Sequence, residues 1–193
     1  KALEFFNKAL AIQKAKLGEQ HTDVATSYNN IGWIYSYKED YDKALEYLNK
    51  ALAIQKAKLG EQHTDVARSY NNIGWIYSYK EDYDKALEYL NKALAIQKAK
   101  LGEQHTDVAT SYNNIGLVYQ ANNDYDKALE FFNKALAIQK AKLGEQHTDV
   151  ATSYNNIGWI YSYKEDYDKA LEYLNKALAI QKAKLGEQHT DVA

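Results

Sequence analysis

The sequence predicts an all-α array of stacked antiparallel helix pairs, and three observations carry that reading. The string GEQHTDVA recurs from Gly18, Gly60, Gly102, Gly144 and Gly186 at a constant spacing of 42 residues. Proline and cysteine are both absent from the 193 residues, as suits helices joined by short turns without disulfides. Each unit also holds two stretches whose apolar residues fall at helical spacing. Units 1–42, 43–84, 85–126 and 127–168 are complete and 169–193 is a partial fifth, so the chain reads as a single repeat array open at both ends. The first two units differ only at Phe5/Tyr47, Phe6/Leu48 and Thr26/Arg68, and 127–193 repeats 1–67 residue for residue. One helix pair of this size cannot bury its apolar stripe alone; stacking on copies of itself does so.

Within a unit, the longer helix is expected over Asp42–Leu59, a stretch rich in Ala, Leu, Lys and Gln. Asp42 is the expected N-cap and Gly60 the residue that ends the helix. Glu46 and Lys50 pair at i, i+4, and Lys56 and Lys58 complement the dipole in the last turn. Ala44, Leu45, Leu48, Ala51, Leu52 and Leu59 form its apolar stripe. The loop GEQHT follows, with His63 or Thr64 capping a shorter helix that stops near 80–84. On that shorter helix Val66, Tyr70, Ile73, Gly74 and Tyr77 make a core face. Arg68, Asn71, Trp75, Ser78 and Tyr79 make a second file on the opposite side. Gly74 costs about 1 kcal/mol against Ala in a helix interior. Its recurrence at Gly32, Gly116 and Gly158 predicts a close approach, with Ala44, Ala86, Ala128 and Ala170 as partners.

Composition excludes several functions. Lys+Arg is 24 and Asp+Glu 26, for a net charge of −2, so no basic face for nucleic acid or polybasic membrane patch is expected. No apolar run reaches the ~18 residues of a membrane span, no signal peptide is visible, and a cytoplasmic location is expected. Lys1 opens the chain without a Met, so the sequence reads as an excerpt. No Gly-rich phosphate loop, HExxH or thiol is present, so neither a catalytic residue nor a cofactor is expected. His21, His63, His105, His147 and His189 each have Glu two residues before and Asp two after. Successive copies lie at least one helix layer of about 10 Å apart, whereas a Zn–N bond is about 2 Å. They read as loop or capping histidines and not as metal ligands.

Tyr70, Ile73, Gly74, Tyr77, Ala86, Leu90 and Ala93 match, in order and spacing, the signature of tetratricopeptide repeats. The usual unit is about 34 residues. This longer one resembles the variety found in kinesin light chains and in bacterial repeat proteins, with Thr22, Thr64, Thr106, Thr148 and Thr190 where the family often has Pro. The resemblance implies a right-handed superhelical solenoid whose shorter helices line a concave wall that touches extended peptides. Carried onto this chain, the peptide-binding positions are Asn29, Asn30, Trp33, Tyr37, Arg68, Asn71, Asn72, Trp75, Tyr79, Asn113, Asn114, Asn155, Asn156, Trp159 and Tyr163. Asn amides donate to and accept from a peptide backbone at once, and Trp and Tyr supply apolar area at low entropic cost. Trp33, Trp75 and Trp159 fit equally well as wedges that set the superhelical pitch. Asn29 and Trp33 stand where the carboxylate-clamp variety has Lys and Asn, so an extended peptide with apolar or aromatic side chains is the expected partner.

The third unit departs from the others, with LVYQANND at 117–124, and the helix that follows it has Phe131–Phe132 for Tyr–Leu. A smaller short helix beside a larger long helix predicts volume compensation; a pocket where Trp and Tyr are missing is the alternative. Neither end carries a polar capping repeat, so end-to-end self-association is expected. The alternative to a peptide-binding scaffold is a spacer or consensus-like array with no ligand.

Overall fold

The computed structural model describes residues 2–185, which hold nine α-helices and no strand. The fifth GEQHTDVA string and His189 lie outside the described residues. The longer helices are α1 (Ala2–Leu17), α3 (Tyr41–Leu59), α5 (Tyr83–Leu101), α7 (Tyr125–Leu143) and α9 (Tyr167–Leu185). Alternating with them are the shorter α2 (Thr22–Tyr37), α4 (Thr64–Tyr79), α6 (Thr106–Ala121) and α8 (Thr148–Tyr163). The chain divides between Lys100 and Leu101 into two compact units. In the first, Val24, Ala25, Ile31, Ala51 and Ile54 form one core cluster, and Leu48, Val66, Ile73, Ile76, Ala93 and Ile96 belong to another. In the second, Phe132, Val150, Ile157, Ile160 and Ile180 belong to one cluster. No described helix is long and apolar enough to cross a membrane.

The long helices start one residue earlier than expected, and their cap is Asp40, not Asp42. Glu39 takes φ 60°, which reverses the chain early enough for Asp40 to accept from the Lys43 N–H at 3.3 Å. Asp42, already in the first turn, instead pairs with Lys80 from the next repeat, as Asp126 does with Lys164. A hydrogen bond from the Lys43 ammonium, at 2.7 Å, holds the Asp40 carboxyl below its ordinary value. Asp82, Asp124 and Asp166 are lowered in the same way by Lys85, Lys127 and Lys169. A depressed folded-state pKa means this contribution is present above the unfolded value and is lost as pH falls through the folded one. Asn at 40, 82, 124 and 166 keeps the cap acceptor without titrating. That quadruple variant is expected to flatten the acid loss of helicity below roughly pH 4, followed by circular dichroism.

Val66 and Ile73 are fully buried, Tyr70 nearly so and Tyr77 half-buried, as the core face requires. Ala67, Ser69 and Ile76 are buried as well, because a short helix packs against long helices on two sides. The close approach at glycine is real, and a leucine shares it with the expected alanine. A Cβ at Gly74 would lie 2.8 Å from Leu90 Cγ and 3.2 Å from the Ala86 carbonyl oxygen. Ala86 therefore supplies backbone, and the leucine one turn on fills the gap. Over Gly116 of the third repeat, Phe132 of the next takes that place, wholly buried, with Cε1 only 2.6 Å from a Cβ built on the glycine.

Candidate functional site

Residues 26, 29, 30 and 33 share one side of α2, since three- and four-residue steps nearly complete a turn. Together with α4 they frame a cleft of about 290 Å3 in the first unit. Thr22, Thr26, Asn29, Asn30 and Trp33 of α2, Gln55 and Leu59 of α3, and Asp65, Arg68 and Asn72 of α4 line it. It brings together Asn29, Asn30, Trp33, Arg68 and Asn72 among the sequence-predicted residues. Arg68 Nη1 lies 3.1 Å from Asp65 Oδ1, so the cation of this wall has a partner already. The Arg68 side chain is 74% exposed, which makes the pair worth little in stability. At the matching position of the second unit, Thr152 donates back to the Thr148 carbonyl at 3.1 Å.

The remaining candidates lie outside that cleft. Tyr37 is exposed, its ring centroid 6.4 Å from that of Trp33. Trp75 and Asn71 are half-buried on α4, and Tyr79 stacks both on Trp75 and on Tyr41, each at 6.0 Å. In the second unit Asn113, Asn114, Asn155 and Asn156 are half-buried on α6 and α8, and Trp159 is exposed. Tyr163 stacks on Tyr125 at 5.5 Å, so Tyr79 and Tyr163 both tie one repeat to the next. None of the three indoles is enclosed.

Two amide oxygens of the wall, Asn29 Oδ1 and Asn71 Oδ1, are buried with no hydrogen-bond partner among the described residues. In the second unit the equivalent atom of Asn113 lies 3.3 Å from the Ser153 hydroxyl. The serine itself belongs to a recurring contact that periodicity did not reveal. Ser27, Ser69 and Ser153 reach Gln13, Gln55 and Gln139 at 2.5, 2.5 and 2.7 Å. The only sequence signal is the constant 14-residue offset between the two residue types.

The four histidines among the described residues are helix caps. Nδ1 of His21, His63, His105 and His147 accepts from the N–H two residues on at 3.1 Å. Among the described residues no group of three or more His, Cys, Asp or Glu side chains could hold a metal ion. Beside two of these caps the loops form clefts that the sequence did not announce. One of about 520 Å3 is lined by residues 17–22 with Lys58 and Leu59, and one of about 450 Å3 by residues 101–106 with Lys142 and Leu143.

Solved structures of similar architecture include BtubC (BKLC) from P. vanneervenii. It is 28% identical with a TM-score of 0.81, over 97% of this chain and 74% of that one. A kinesin-light-chain protein of nearly identical TPR-like repeats from Podospora anserina is 26% identical with a TM-score of 0.76, over 94% and 86%. A Rap protein solved in complex with Competence and Sporulation Factor shares the fold at 22% identity and a TM-score of 0.72, over 99% and 55%. No curated protein sequence matches the chain significantly. The family model described as tetratricopeptide repeat matches residues 1–57, 37–99 and 107–183, and with stacked helix pairs as the fold this chain belongs to the tetratricopeptide repeat family.

Proposed function

We propose that this chain is an interaction scaffold that holds an extended peptide segment against its shorter helices, without catalysis. The observation that carries the reading is the cleft in which Asn29, Asn30, Trp33, Arg68 and Asn72 converge from two successive repeats. Asn30 and Asn72 make no side-chain hydrogen bond among the described residues, so their amides are available to a peptide backbone. Trp33, half-buried, joins Leu59 as the apolar part of a mostly polar lining. That a Rap protein of this fold was solved with a bound factor is consistent with such a role.

Screening the chain against an array of extended peptides with apolar and aromatic side chains tests this. A specific ligand is expected to lose about tenfold or more in affinity on Trp33→Ala, and also on Asn72→Ala. A screen in which no captured peptide depends on either residue would establish the spacer reading instead.

A further inference from the structure

We infer that the buried serine of a shorter helix relays a hydrogen bond from a long-helix glutamine to the wall asparagine of the preceding repeat, and so turns that asparagine's NH2 group toward the ligand. The geometry is complete in the second unit. Ser153 Oγ lies 2.7 Å from Gln139 Oε1 and 3.3 Å from Asn113 Oδ1. A hydroxyl carries one proton and cannot donate to two carbonyl oxygens. A half-turn of the Gln139 amide exchanges its oxygen and nitrogen with almost no change of shape. Nε2–H then donates to Ser153 Oγ, and the serine proton goes to Asn113 Oδ1. Ser153 is fully buried and Gln139 is 4% exposed, so water does not compete for these groups, and an unmade bond there is costly.

The first unit holds the serine–glutamine half of the arrangement, while the asparagine oxygen there stands without a partner. Ser69, also fully buried, contacts Gln55 at 2.5 Å, and Asn29 stands to Ser69 in sequence as Asn113 does to Ser153. Asn29 Oδ1 is the buried oxygen left without a donor, and Ser69 holds the proton that Gln55 frees by turning its NH2 inward. With Oδ1 spent inward, Asn29 offers only N–H donors to the cleft it lines. The ligand class that satisfies it presents an acceptor at this point, such as a main-chain carbonyl of an extended segment. This last step rests on the peptide-binding reading; the relay does not. Ser69 and Gln55 are positioning residues for the site.

A double-mutant cycle on the full chain, read by native-state hydrogen exchange of the α8 amides, tests the relay without any ligand. Ser153→Ala and Asn113→Ala are each expected to lower protection about five- to tenfold. The double variant should lose no more than the worse single one, and Ser153→Thr should restore protection. Gln139→Glu, which has no donor to give, should abolish the coupling. Additive losses, wild-type protection in Asn113→Ala, or coupling that survives Gln139→Glu would each overturn the relay. For a peptide captured in the array screen, Ser69→Ala should weaken binding as much as Asn29→Ala, with Ser69→Thr unaffected. Binding that ignores Ser69→Ala but needs Asn29 would overturn the positioning role. Coupling that holds while no peptide is captured supports the relay and removes the peptide reading alone.

Discussion

Replacing Phe132 by alanine is expected to lower the stability of the chain by about 3–5 kcal/mol, and Gly116→Ala, harmful alone, is expected to recover part of that loss. Phe132 is wholly buried and lies over Gly116, where an added Cβ would come within 2.6 Å of Cε1 and 2.7 Å of Cδ1. In the native background Gly116→Ala therefore forces the ring to move in a closed interior, at about 1–3 kcal/mol. The better helix propensity of Ala offsets at most about 1 kcal/mol of this. Removing the ring reverses the sign: the new methyl occupies part of the vacated volume, and the propensity gain is kept. Phe132→Leu introduces the side chain found at Leu48, Leu90 and Leu174 beside the smaller Leu117, and is expected to cost more than about 1 kcal/mol if the two changes compensate in volume. Urea unfolding followed by circular dichroism and by tryptophan fluorescence measures all four variants, two probes being needed because a repeat array need not unfold in one step. Additive effects of the two alanine substitutions, or a neutral Phe132→Leu, would count against this packing.

How far the sequence could be read follows from what a period does and does not encode. A 42-residue repeat presents one helical pattern several times over, so the alternation of longer and shorter helices was legible to within a residue or so at each end. The core face of α4 was legible for the same reason, since Val66, Ile73 and Gly74 keep helical spacing. The cap at Asp40 was not. Two aspartates flank Tyr41, and the choice between them depends on the left-handed turn at Glu39, which composition alone does not specify. Nor was Leu90 over Gly74 evident, because a glycine announces that something approaches, and only the seating of the two helices says what does. Gln55 sits in a stretch of Lys, Gln and Ala that reads as solvated, and packing against Ser69 alone places it inside. The candidate wall was named as a file of repeating positions. The structure gathers Asn29, Asn30, Trp33, Arg68 and Asn72 into one cleft and engages Tyr79 in stacking on Tyr41.

Replacing His21, His63, His105 and His147 together by alanine is expected to destabilise the chain by about 4 kcal/mol, on the basis of about 1 kcal/mol for each N-cap. Each imidazole satisfies a backbone N–H that the first turn of a short helix leaves without a partner. The geometry barely varies: φ stays between −81° and −79°, ψ between 146° and 148°, and the Nδ1 contact is 3.1 Å in every copy. The four caps sit in separate loops and share no hydrogen-bond partner, so their losses should add. Asparagine carries an acceptor of similar reach and is among the best capping residues, so the matching quadruple Asn variant should stay close to the native midpoint in urea. The first-turn acids Asp23, Asp65, Asp107 and Asp149 are untouched in both variants, which leaves the helix-dipole contribution equal and isolates the cap. Equal losses in the Ala and Asn variants would mean that the rings act by filling the loop clefts beside residues 17–22 and 101–106, and the capping role would fall.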